Sequence, residues 1–336
     1  DRQDKKKWLI GVQALLALQA FALAALTWTD LIGTGLIIGM SLVLGVLNSF
    51  DTPLRQSLIN SFVGRPEDLP NALALNAMLF NASRFIGPPL AGLLLGLTSE
   101  ALCFAINGCS FLALVIGLLR IESRPPERAT GSMGQVFREG VAYVWHTWPV
   151  RTLILTLATV NLTASAYAVL LPVFARDVFG GDAGTLGVIW GAAGCGAFLG
   201  TVFLAHQRGH GSLGRAVFIG SAVSAVSVMV FSKAGWMPLA LVAMAGVGFG
   251  ISVVNVAINM LLQSMAPEAL RGRVVSFFSS TRFGFDALGG LVAGLVAAPL
   301  GAGTTLLLEG LVLLVFVGFL VTRRHRLKAE LATTTA

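Results

Sequence analysis

Five ionisable side chains stand within or at the edge of long apolar runs: Asp51, Arg84, Arg282, Asp286 and Glu309. In hydrocarbon such a group costs about 2.5–3.5 kcal/mol on insertion scales, so it marks a pathway, a relay or a paired anchor. Asp286 follows Arg282 by one helical turn on the same face, and the two can pair. Two readings stand: Asp286 loads and releases a proton while Arg282 holds it ionised in one state, or the pair is a static packing element. Arg84 has no acidic residue four positions away, so another helix or water must meet its charge. It is either a contact for acidic groups on a ligand or a structural anchor. Glu309 lies five residues into the last run, where a carboxylate can either snorkel to the membrane surface or, like Asp286, Arg282, Arg84 and Asp51, serve as a proton-coupling group. Asp51 precedes Pro53 at the end of its run, a position that reads first as a helix cap.

The neutral polar residues are patterned as well. Asn255, Asn259 and Gln263 fall at i, i+4 and i+8, one stripe on one helix face, and Asn48 and Gln56 match two of them earlier in the chain. They can bind a ligand or bond helix to helix, the latter worth only about 0.6 kcal/mol on average. Gly187, Gly191, Gly196 and Gly200 crowd one helix, and Gly246, Gly250, Gly290 and Gly294 repeat a small-residue spacing that allows close packing. His206 and His210 share i, i+4 spacing with no third ligand nearby, so no metal site is expected. Cys103, Cys109 and Cys195 fit no disulfide or metal spacing and read as packing residues. The sequence has no phosphate-binding G-x-x-x-x-G-K-[ST] loop, so nucleotide hydrolysis is excluded and no cofactor is implied.

The elements that must hold these groups follow from composition. Of 336 residues 55% are hydrophobic and 12% charged, against about 25% charged in soluble domains, and the mean hydropathy is +0.81. A globule of this size still needs a polar skin, so the solvent for most side chains is lipid. A disordered chain is excluded, and long apolar runs argue against an outer-membrane barrel. The basic residues, which give a net charge of +7, are not gathered into a nucleic-acid-binding domain. An all-α polytopic membrane protein remains. Ten runs reach the roughly 20 residues needed to cross the hydrocarbon: about 8–28, 32–51, 73–97, 101–119, 151–174, 184–205, 215–232, 238–262, 274–298 and 304–322. Trp8 and Trp28 bracket the first, where indole rings favour the two interfaces.

Of the 23 basic residues, all but Arg84, Arg176, Lys233 and Arg282 fall in the alternate loops that share a side with residues 1–7. By the positive-inside rule both ends of the chain are then cytoplasmic. Residues 120–148 form the one long loop and divide the runs four and six. Within it Phe137, Val141, Val144 and Trp145 recur at helical spacing, either along the membrane surface or as a short packed helix in a solvated linker.

The chain also repeats itself. Asn48, Leu54, Gln56 and Ser57 return at the same spacing as Asn255, Leu261, Gln263 and Ser264. Pro66-Glu67 and Leu69 return as Pro267-Glu268 and Leu270, and Phe80, Arg84 and Phe85 as Phe278, Arg282 and Phe283. A repeat six spans apart in the same orientation implies two similar halves related by an axis along the membrane normal.

Five segments make the pattern specific. Asp1-Arg2-Gln3-Asp4-Lys5-Lys6-Lys7 resembles the end of the D-R-x-x-[RK]-[RK] loop signature between the second and third helices of the major facilitator superfamily. Gly87-Pro88-Pro89-Leu90-Ala91-Gly92, after Arg84, resembles the G-P-x-x-G motif of helix five in its antiporter branches. With Phe50–Gln56, Glu67–Ala72 and Pro267–Arg273 the chain resembles the transmembrane secretion effectors, which include enterobactin exporters and macrolide efflux proteins. The loop His206–Arg215 departs from the signature, since it has no Asp.

The resemblance implies a major facilitator fold of two pseudo-symmetric six-helix bundles with about ten of twelve helices present, the first two lying upstream of Asp1. It divides the chain into 1–119 (helices three to six), a linker 120–148 and 149–336 (helices seven to twelve). It implies a gating role for Asp1, Arg2, Lys5 and Lys6, and a bend at Gly87, Pro88 and Gly92. It also implies a substrate cavity with Asn48, Asn161, Thr163, Tyr167, Asn255 and Asn259 turned toward it. The function implied is secondary active export of small amphipathic, drug- or siderophore-like molecules by alternating access, against protons, in a bacterial inner membrane and as a monomer. Two alternatives stand beside it: an importer of the same fold, and a membrane enzyme or signalling protein, which would need a catalytic cluster at one membrane face.

Overall fold

The computed structural model describes residues 5–62, 75–76, 79, 83, 86–87, 90–91, 94–95, 97–121, 141–207 and 209–333. Among them every regular element is helical, because in lipid each backbone N–H and C=O must be satisfied within its own segment. Among the described residues nine helical spans are long and apolar enough to cross a membrane, one of them, Trp148–Val178, containing two α-helices. They coincide with nine of the ten expected runs, and the tenth, 73–97, lies largely outside the described residues. The helices are α1 (Lys5–Trp28), α2 (Thr34–Phe62), α3 (Glu100–Arg120), α4 (Trp148–Thr163), α5 (Tyr167–Val173), α6 (Ala183–Ala205), α7 (His210–Ser232), α8 (Met237–Met265), α9 (Glu268–Leu300) and α10 (Ala302–Thr333).

The chain divides into two compact units, Asp1–Phe80 with Leu93–Thr130, and Asn81–Gly92 with Gly131–Ala336. In the first, α1 packs against both α2 and α3. Leu9, Leu58 and Leu118 join the three helices at one end, and near the other the ring of Phe21 fills the space a side chain at Gly108 would need. α3 starts on a Ser99 cap whose hydroxyl accepts from the Leu102 N–H at 3.3 Å. On another face of α2, Leu36, Ile38, Leu42, Val46 and Phe50 are turned outward, as a lipid-facing helix requires.

In the second unit α8 is the centre, packed along α6 on one side and α7 on the other. Glycines permit the approach. A Cβ at Gly248 would sit 1.8 Å from the Ala193 carbonyl oxygen, one at Gly196 would sit 1.7 Å from that of Ala245, and one at Gly250 2.4 Å from that of Gly220. The expected close packing is therefore real for Gly196, Gly200, Gly246 and Gly250, whereas Gly294 faces open space. α10 lies on α7, and α4 packs against α8, α9 and α10. Leu153, Leu157, Phe174, Phe231, Met244 and Ile258 fill the interior, with Phe174 and Phe231 ring to ring at 4.7 Å.

The span expected at 151–174 is longer and is not one regular helix. α4 gives way to a 3₁₀ turn at Ala164–Ala166, resumes as α5 and ends in a π-turn at Phe174–Val178. The cause is local. Thr152, Thr156, Thr159 and Thr163 each donate to the carbonyl four residues back, and Asn161 does the same to Leu157. Such bonds compete with the backbone ladder and bend helices. Pro172 then removes a further donor from α5.

Candidate functional site

In the second unit the polar residues gather where α4 breaks. Asn161, in the last turn of α4, donates from Nδ2 to Asn255 Oδ1 of α8 at 3.1 Å, and both side chains are buried. Thr163 is buried too, its hydroxyl donating to Thr159 O at 2.7 Å. Just past the break Tyr167 lays its ring against Trp190 of α6, centroids 5.6 Å apart. Deeper on α8, Gln263 Nε2 donates to Asn259 Oδ1 at 2.9 Å; Asn259 is half-buried and Gln263 exposed. The stripe of three amides therefore divides. Its first member is turned into the α4–α8 seam, and the other two bond along their own helix toward the open face.

On α9, Arg282 and Asp286 stand one turn apart, with the guanidinium 5.2 Å from the centroid of the Phe283 ring and Asp286 on the exposed face. Glu309 does not snorkel. It sits on the packed side of α10 between Leu306 and Leu313, and its Oε2 is covered, with no hydrogen-bond partner among the described residues.

In the first unit the expected cap reading of Asp51 is overturned. α2 runs through Pro53 to Phe62, so Asp51 lies inside the helix rather than at its start. The residue is 6% exposed. Gln13 Nε2 of α1 donates to its Oδ1, and Arg55, one turn on, donates to its Oδ2 at 2.8 Å. A buried carboxylate needs its lone pairs met, and an amide on one helix with a guanidinium on the other meets them. Asn48 is exposed on α2, one turn before Asp51. Of the loop signature, Asp1 and Arg2 lie outside the described residues. Lys5 and Lys6 open α1 instead of standing in a loop, and Lys6 Nζ donates to the Ile121 carbonyl at the end of α3. Arg84, Pro88 and Gly92 also lie outside the described residues; Gly87 is helical with open space where a Cβ would be.

The linker ends as a short packed helix. Val144 belongs to the core of the second unit, and the Tyr143 hydroxyl donates to the Met265 carbonyl at the end of α8 at 3.2 Å. Burial pushes that phenol above its ordinary value. Trp145 stays exposed, and Phe137 lies outside the described residues. A hollow of about 250 Å³ opens between α5 and α6, lined by Pro172, Ala175, Arg176, Asp182 and Leu186. No residue expected in the cavity lines it.

The residues that sequence reasoning missed are Gln13 and Trp190. Gln13 is one of two amides, with Gln19, in a largely apolar run, a signal equal to that of Asn255; Trp190 carries no pattern that distinguishes it from a lipid-facing indole.

Comparison with known proteins fits this architecture. The multidrug efflux pump Tap of Mycolicibacterium fortuitum is 29% identical over 283 residues, 79% of this chain and 67% of the pump. The staphyloferrin A transporter of Staphylococcus aureus is 22% identical over 98% of this chain and 83% of its own length. The enterobactin exporter EntS of Escherichia coli K12 is 28% identical over 79% of this chain, which spans 64% of the exporter. Among solved structures, a POT family transporter in complex with 5-aminolevulinic acid superposes over 96% of the chain with a TM-score of 0.71 at 11% identity. A bacterial homologue of the lysosomal transporter Spinster superposes over 100% with a TM-score of 0.62 at 13% identity. These likenesses establish the major facilitator fold. Since the family profile described as transmembrane secretion effector matches residues 1–335, the chain belongs to that family of major facilitator proteins.

Proposed function

We propose that the protein is a secondary active exporter of small amphipathic molecules, drug- or siderophore-like, working by alternating access against an inward flow of protons. The observation that carries this reading is the Asn161–Asn255 bond placed directly beneath the break in α4. A mid-helix 3₁₀ turn is a frequent hinge, and here it separates a lower helix tied to α8 from an upper segment, α5, that can bend on its own. Asn48, Asn259 and Tyr167 supply amide and phenol groups for the hydroxyl and carbonyl functions of such substrates, while apolar neighbours take the rest. The names of the relatives, a multidrug pump and carriers of two siderophores, support this substrate range.

Energy comes from a gradient, since the sequence has no nucleotide-binding loop. Asp286 is the proton carrier, with Arg282 as the cation that favours its ionised form, and Asp51 and Arg84 serve the other half. Lys5 and Lys6 belong to the cytoplasmic gate with Asp1 and Arg2, and Gly87, Pro88 and Gly92 bend the fifth helix. The protein works as a monomer in a bacterial inner membrane with both ends of this chain cytoplasmic. The test is transport in everted vesicles from an efflux-deficient bacterium that expresses the protein. Ethidium or a catecholate siderophore should accumulate on energisation and leave on addition of a protonophore. Accumulation that ignores the protonophore, or none of either compound above the empty-vector level, overturns the reading.

A further inference from the structure

Glu309 is a half-buried acid, one carboxyl oxygen of which is covered, and the exporter reading above gives it no part. It stands on the packed side of α10 between Leu306 and Leu313, both fully buried. At the next residue, Gly310, a Cβ would lie 2.5 Å from Met229 Cγ and 3.1 Å from the Ala225 carbonyl oxygen. The α7–α10 seam is thus in backbone contact beside the carboxyl, and Oε2 is sealed without a hydrogen-bond partner among the described residues.

The elements packed against α10 are α4, the 3₁₀ turn, α5, α7 and α9, and their charged groups lie at other depths. On α7 these are His210 and Arg215, toward the opposite end, since Ser232 is the residue beside Gly303. Lys233 caps α7 near the start of α10, about 9 Å along the axis from Glu309 at 1.5 Å per residue. α9 joins α10 at Gly301, so Asp286 lies about 10 Å deeper than the level of Glu309 and Arg282 and Arg273 deeper still. α4 carries only Arg151, in its first turn. The 3₁₀ turn carries no charge, and Tyr167 of α5 is stacked on Trp190. Among the described residues no cation stands at this level to answer an ionised carboxylate, which would be desolvated, and a neutral acid has no such charge to desolvate.

We propose that Glu309 is a second proton-binding site, separate from the Arg282–Asp286 pair. Its carboxyl holds a proton while the α7–α10 seam is closed. When α10 tilts away from α7, the O–H bond breaks, the proton passes to water entering from the Lys233 end, and the carboxylate left behind is met by water and by Lys233. The role in transport rests on the exporter reading; the proton site itself does not.

Two measurements test it on the full protein. Carbodiimide adds to neutral carboxylic acids in apolar surroundings, so dicyclohexylcarbodiimide followed by peptide mapping of the wild type should label Glu309 at neutral pH and lose the label in alkali. Infrared difference spectra between the two conditions should show a neutral-carboxyl band that Glu309→Gln removes and Asp286→Asn keeps. No label at Glu309 at any pH, or a band unchanged in Glu309→Gln, overturns the site. In proteoliposomes Glu309→Gln should lower the protons moved per substrate; a ratio equal to wild type overturns the transport role. If the label and band titrate but wild type shows no proton-driven transport, the site stands and the exporter reading fails.

Discussion

Asn161 reaches across from α4 to hydrogen-bond Asn255 of α8 at 3.1 Å, and neither amide has water to fall back on. Removing one partner strands the other. Asn161→Leu or Asn255→Leu alone should destabilise the protein by about 1–3 kcal/mol. The double change should recover part of that, giving a coupling near the 0.6 kcal/mol average for membrane proteins. Unfolding followed in mixed micelles for the four proteins of the cycle measures it; strict additivity would mean the bond contributes nothing.

The glycine seams make a sharper prediction. Gly248→Ala and Gly196→Ala put a methyl within 2 Å of a backbone oxygen on the neighbouring helix, and helices that must separate to admit it lose packing worth about 1–3 kcal/mol each. Gly284→Ala and Gly294→Ala meet open space and should stay within about 0.5 kcal/mol of wild type. Thermal unfolding in detergent compares the four.

Asp51 is held from two sides, unequally. Arg55 is half exposed, so Arg55→Ala should cost under about 1 kcal/mol. Asp51→Leu breaks the bond to fully buried Gln13, whose Oε1 already has no partner among the described residues, and should cost about 2–4 kcal/mol. Expression level and melting temperature rank the two variants, and the opposite order would show that the ion pair outweighs the buried amide contact.

Asp182 caps α6, its Oδ1 accepting from the Thr185 N–H at 3.0 Å, and that bond holds the carboxyl below its ordinary value. A lowered acid stabilises above its unfolded-state value and loses that contribution as pH falls through the folded one. The melting-temperature gap between wild type and Asp182→Ala should therefore be full at neutral pH and shrink only in acid. Asp182→Asn, which still caps, should show a smaller gap with little dependence on pH. Scans at several pH values check both.

For coupling, Asp286→Asn should abolish gradient-driven accumulation in vesicles while leaving substrate binding within a few-fold, because the amide keeps the shape and loses only titration. Arg282→Gln should fold worse than Arg282→Gln with Asp286→Asn, whether the pair is a relay or an anchor, so flux is the deciding measurement. Accumulation undiminished in Asp286→Asn would move the coupling role to Glu309 or Asp51.

What the sequence determined by itself is the set of spans among the described residues. Hydrocarbon forces each backbone hydrogen bond to close within four residues, so a long apolar run such as 184–205 is a helix whatever surrounds it, and the structure has Ala183–Ala205. Local chemistry reaches a little further: the threonines of α4 and Pro172 carried the signal for the break at Ala164–Ala166, although hydropathy alone ran straight through it. Which side chain meets which was decided only by the tertiary structure. Nothing near Asp51 names Gln13, nothing near Asn161 names Asn255, and Glu309, five residues into its run, reads as a snorkelling acid until α7 is laid against it. These pairings depend on how far each helix is rotated and how deep it sits. Both quantities come from the fit of glycine seams such as Gly248 on Ala193, a property of two surfaces together that no single stretch of sequence contains.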